Sequence, residues 1–92
     1  MRKEPQMRRE LQTTDLFLSA YLLNEKQEIR DVQLDPRFKK KIIFIFPSNL
    51  EIEALKHEYK QGLAKANLLE FKKNYQHVQS LFYEAKRQFD LF

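Results

Sequence analysis

Arg37-Phe38-Lys39-Lys40-Lys41 is the densest charge feature of the chain, four cations in five residues around one aromatic ring. Such a segment can track a phosphate backbone while the ring stacks on a base. The same residues also suit a solvated loop whose lysines keep a sheet edge from pairing with other chains. Lys72, Lys73, Lys86 and Arg87 could extend the patch, and Arg2, Lys3, Arg8 and Arg9 supply further positive charge near the start. Residues 1–11 are polar and without a period, so they read as a flexible basic arm.

Catalytic chemistry has little to work with. His57 and His77 are the only histidines, and no His-x-x-x-His pair occurs. With no cysteine in the chain, thiolate metal sites, disulfides and a cysteine nucleophile are excluded. Ser19, Ser48 and Ser80 lack a nucleophile context, and Glu51 and Glu53 fit the positive end of a helix dipole. One glycine in the whole chain rules out a phosphate-cradling glycine loop. The expectation is a protein that is not an enzyme, with no catalytic residues, no metal, no cofactor and no small-molecule substrate.

The elements that must position the charged loop follow from periodicity. Thr13 or Thr14 should cap a helix running to Asn24, with Asp15 in its first turn. Its apolar residues fall on every side: Leu16, Ala20 and Leu23 on one stripe, Phe17 and Tyr21 on another, Leu18 and Leu22 on a third. A helix of this kind is surrounded. Glu28–Leu34 alternates and reads as a half-buried strand, and Lys41–Phe46 as a second strand. Asp35-Pro36-Arg37 is the turn between them, giving an antiparallel hairpin. Strand two is apolar on both faces, with Ile42, Phe44 and Phe46 on one and Ile43 and Ile45 on the other.

Ser48-Asn49-Leu50-Glu51 has the form of a capping box for a second helix with Ile52, Leu55 and Tyr59 inward. Gly62 suits its C-terminal cap. Asn67 opens a third helix along which Phe71, Tyr75, Val78, Phe82, Ala85, Phe89 and Phe92 recur at steps of four and three, a seam suited to packing within the chain or between chains. The fold class is α+β, one small domain over residues 12–92 in the order α-β-β-α-α, an antiparallel β-hairpin packed with three helices.

The wording TTDLFLSAYLL at Thr13–Leu23 resembles a family of small bacterial and phage domains of unknown function whose common form is T-T-D-L-Y-L-A-A-Y-L-L. The IIFIF strand at Ile42–Phe46, the Tyr59-Lys60-Gln61-Gly62 turn and a helix opening at Asn67 fit the same pattern over roughly residues 12–84. Phe17 and Ser19 depart from it, as do the basic hairpin and the longer C-terminal tail. The resemblance implies one compact domain in a prokaryotic or phage setting and brings no site residues.

Composition narrows the partners. The chain has 92 residues and a net charge of +4; 42% are hydrophobic and 33% charged, with eight Phe and four Tyr. This is the profile of a folded domain near the small end for one core. The longest apolar run, Leu16–Leu23, is far short of the roughly 20 residues of a membrane span, so no membrane contact is expected, and a cysteine-free chain suits the cytoplasm. Two readings stand. One is a self-associating interaction module, a homodimer, with Ile43, Ile45, Phe82, Phe89 and Phe92 at the interface. The other is a nucleic-acid-binding accessory protein using Arg37, Phe38, Lys39, Lys40 and Lys41.

Overall fold

The computed structural model of the protein describes residues 10–37 and 41–90. Its elements are β1 (Glu10–Thr13), α1 (Leu16–Asn24), β2 (Asp31–Leu34), β3 (Ile42–Pro47), α2 (Leu50–Lys60) and α3 (Leu68–Gln88). The α+β class and the antiparallel hairpin of β2 and β3 are as the sequence predicts. The order differs by one strand. Glu10 and Leu11, expected in a loose arm, belong to β1, which pairs antiparallel with β3 and makes a three-stranded sheet in the order β1-β3-β2. A four-residue strand shows no clear alternation by itself; Leu11 is drawn in because it stands opposite Phe46 and is buried with it. The rest of the arm, residues 1–9, lies outside the described residues.

Register sorts the side chains. Leu11, Phe46, Thr13, Phe44, Val32, Ile42 and Leu34 share one face across the two ladders, since directly paired residues point the same way. That face forms the core with Leu18, Ala20 and Leu22 of α1, Ile52 of α2, and Val78 and Ala85 of α3. Ile43 and Ile45 lie on the opposite face, yet they are only 7% and 1% exposed. Gln33 stands across from Ile43, and Gln12 and Asp31 flank Ile45. The two isoleucines are thus buried in a single chain and offer no apolar surface for an interface. The expectation that both faces of this strand need a second copy as cover has lost its ground.

The α3 seam also turns inward. Val78 and Ala85 are buried, and Phe71, Tyr75, Phe82 and Phe89 pack against the core; α1 packs chiefly on α3. Phe92 lies outside the described residues.

Helix ends follow local chemistry. The α1 cap is Asp15, whose Oδ1 accepts from the Leu18 N–H at 3.0 Å, because Thr13 is held in β1 and the helix starts later. The Thr13 hydroxyl oxygen accepts from the Asp15 N–H instead. Asn24 is the last helical residue, but the left-handed one is Lys26 (φ 71°). Its N–H and that of Gln27 reach back to the Leu23 and Leu22 carbonyls, the paired bonds of a Schellman end. Gly62 (φ 75°) does the same for α2, with bonds from Gly62 to Tyr59 and Leu63 to Glu58. The α2 cap is Asn49, accepting from the Ile52 N–H at 2.9 Å, rather than Ser48. β3 runs through Pro47, so α2 begins one residue later than the capping-box pattern implies; Ser48 donates to Glu53. Asn67 caps α3 as its position suggests.

Candidate functional site

Phe17 is the one large residue of α1 that faces water, 53% exposed. Its ring lies nearly parallel to Tyr75, with centroids 4.8 Å apart and planes 9° off, and to Phe71 at 6.3 Å and 11°. Phe71 and Tyr75 are four residues apart on α3, neighbours on one helix face, and their own rings are 9° from parallel. Three rings from two helices form a plate whose outer member is open to solvent. This arrangement is worth more than the area it covers, because offset-stacked rings fix each other's orientation.

A groove of about 450 Å³ continues the plate. It is lined by Tyr21, Tyr59, Ala64, Lys65, Ala66, Leu68 and Phe71, and Phe71 belongs to both features. Leu68, at the start of α3, is 84% exposed. The floor of the groove is rigid. Tyr21 and Tyr59 stack at 6.2 Å, the Tyr59 hydroxyl donates to Asp15 Oδ2 at 2.9 Å, and the Tyr21 hydroxyl makes a longer bond to Glu58 at 3.4 Å. Burial first, then the bond to Asp15 and its charge, push the Tyr59 phenol up to about 12. Burial, then the carboxylates of Glu25 and Glu58, raise Tyr21 as well. Both phenols therefore stay protonated donors, and Asp15 ties the N-terminus of α1 to α2 through its two oxygens.

At the hairpin, Asp35 is buried and accepts from the Arg37 N–H at 2.8 Å, an Asx turn that shapes the loop. The Arg37 side chain is 82% exposed, with Nε 3.9 Å from Asp35 Oδ1. Arg37 and Lys41 line a shallow groove of about 480 Å³ with Gln12, Thr13 and Thr14. Phe38, Lys39 and Lys40 lie outside the described residues. The structure thus brings together Arg37 and Lys41 of the five expected nucleic-acid residues. Of the residues that could extend the patch, Lys86 sits over the Phe82 ring at 5.1 Å on the last turns of α3.

The remaining chemical residues are dispersed. Ser19 is fully buried and donates to the Asp15 carbonyl, a bond within the helix. His57 lies beside Glu53, Lys56 and Lys60 on exposed α2. His77 lines a groove of about 620 Å³ between α3 and the segment from Glu28 to Val32. Among the described residues no three His, Asp or Glu gather as a metal site would require. Among the described residues no helix is long and apolar enough to cross a membrane.

The plate was hidden from sequence reasoning because each half had another explanation. Phe17 fell into an all-round apolar helix, and Phe71 and Tyr75 into a regular seam. The available signal was the pair of aromatic i, i+4 spacings, Phe17–Tyr21 and Phe71–Tyr75, on two separate helices. Comparison of the chain with protein-family models, with curated proteins and with solved structures finds no match.

Proposed function

We propose that the chain is a non-enzymatic interaction module that self-associates and takes an apolar protein segment on its aromatic plate. The observation that carries the segment-binding part of this reading is the Phe17–Tyr75–Phe71 stack, open on its Phe17 side and continuous with the groove lined by Leu68. Rigid rings at a surface make contact area at low entropic cost, and anchors of this kind dominate protein interfaces. Lys65 in the groove, with Lys72 and Lys73 exposed on α3, favours a segment with acidic residues beside a leucine or aromatic anchor. A cytoplasmic, prokaryotic or phage setting belongs to the same proposal. It rests on the absence of cysteine and on the TTDLFLSAYLL wording.

Selection from a displayed library of random peptides tests the recognition. Wild type should enrich sequences with a bulky apolar anchor and acidic flanks, and Phe17→Ser should lose them. Enriched peptides that bind Phe17→Ser equally well would place recognition elsewhere. Nucleic-acid binding is the second reading, favoured by the Asx turn that holds Arg37 outward beside Lys41. Its signature is affinity for a single-stranded oligonucleotide that falls steeply with salt and weakens in Arg37→Ala. Salt-independent or undetectable binding would remove it.

A further inference from the structure

The two edges of the sheet are not equivalent. Asp35, just past β2, donates its N–H to the Lys41 carbonyl at 2.9 Å, and Arg30, just before β2, donates to the Ile45 carbonyl at 2.6 Å. Ile45 stands opposite Asp31, so β2 enters the sheet with a bulge. Both bonds fix the polarity of the ladder. Residues 31, 33 and 35 turn their backbone groups toward β3, and Val32 turns outward. That outer N–H is already taken: the Asp31 carboxylate accepts it at 2.8 Å and accepts from the Gln33 amide with its other oxygen, also at 2.8 Å. β2 therefore carries its own edge guard.

β1 carries none. Backbone groups alternate along β3, so Ile43 and Ile45 serve β2 while Phe44 and Phe46 serve Thr13 and Leu11. The N–H and C=O of Gln12 consequently face away from the sheet. Among the described residues nothing bonds to them. Glu10, Gln12 and Thr14 are all exposed.

We infer that β1 is a docking edge for the β1 of a second copy, paired antiparallel about a two-fold axis at Gln12. This inference rests on the self-association reading and places its seam. The strand is complementary to itself in that register. Gln12 meets Gln12 as a hydrogen-bonded pair, with Cα atoms about 5.5 Å apart, and Glu10 meets the partner's Thr14. No like charges stand opposite. The product is a six-stranded sheet, an ordinary size, ordered β2-β3-β1-β1-β3-β2 and closed at both outer ends by Asp31. Such a symmetric, isologous contact is the commonest route to a dimer. The plate of Phe17 takes no part in it.

Sedimentation velocity on charge variants of Gln12 tests the seam. Gln12→Glu sets two carboxylates directly opposite, and Gln12→Lys two ammonium groups; each should weaken the dimer by roughly tenfold, since cross-strand partners on one face interact directly. An equimolar mixture of the two should restore it as a heterodimer. Gln12→Pro removes only an outward N–H, so a native circular-dichroism spectrum with a monomeric boundary is expected; if that variant misfolds, the charge pair decides. Phe17→Ser should dimerise as wild type does. If Gln12→Glu and Gln12→Lys each dimerise as tightly as wild type, the strand seam is wrong while self-association stands. A wild type monomeric at high micromolar concentration would remove self-association and the seam with it.

Discussion

Asn49 shows how one residue's role is settled by its neighbours. Ser, Asn and Asp are near-equal helix caps, so Ser48-Asn49 offers two starts, and the strand running through Pro47 selects the second. Asn49→Ala should cost about 1 kcal/mol, whereas Ser48→Ala removes only an exposed bond to Glu53 and should stay within about 0.5 kcal/mol. Urea midpoints of the two variants check the order. Tyr59 gives a prediction in pH. Burial and the bond to Asp15 push its phenol up to about 12, above the ordinary tyrosine value of 10.0, so between those values the unfolded chain has released a proton that the folded chain retains. Its contribution to stability is complete below pH 10 and is lost as pH rises through the folded value. Tyr59→Phe should flatten the alkaline fall of the urea midpoint; an unchanged slope would show that the Asp15 bond does not set it.

At the scale of elements, α1 is the hub, though not an enclosed one. Leu18, Ala20 and Leu22 are buried. Leu16 and Leu23 are partly buried against the core, and Phe17 is open. The cost of truncation should follow burial rather than hydrophobicity. Leu22→Ala is expected to lose roughly 2–5 kcal/mol, as for other fully buried leucines, and Leu16→Ala clearly less. Thermal melts of the pair measure the difference, and equal losses would contradict the observed orientation of α1. The long α3 meets α1 along Phe71, Asn74 and Tyr75. The Asn74 amide donates to Asn24 at 3.0 Å, a polar contact that fixes how the two helices cross.

For the whole molecule, the fate of the aromatic seam decides what truncation does. Phe89 packs on the core of its own chain. A chain ended after Lys86 should therefore lose roughly 1–3 kcal/mol of stability, from the area of one partly buried ring, while the dimer remains. Sedimentation and a urea melt on the same sample separate the two effects. Loss of the dimer with stability intact would assign the end of α3 to the interface after all.

The sequence by itself determined whatever depends on local chemistry and period. The α+β class, the β2–β3 hairpin with its Asp35 turn, and the caps at Asn67 and Gly62 are legible within a window of a few residues, and the four-and-three period of the α3 seam is legible along the helix, but that the seam packs inward is decided by the tertiary structure. The tertiary structure alone decided what depends on which surfaces meet. A four-residue strand such as β1 has too little period to announce itself, and it exists because β3 offers it a ladder. Leu11 is buried only because Phe46 stands opposite. Ile43 and Ile45 are apolar on a face that sequence reasoning left open, but in the folded chain they are only 7% and 1% exposed. Phe17 and Tyr75 are 58 residues apart. No local pattern can place one over the other, because their stacking depends on how α1 lies across α3.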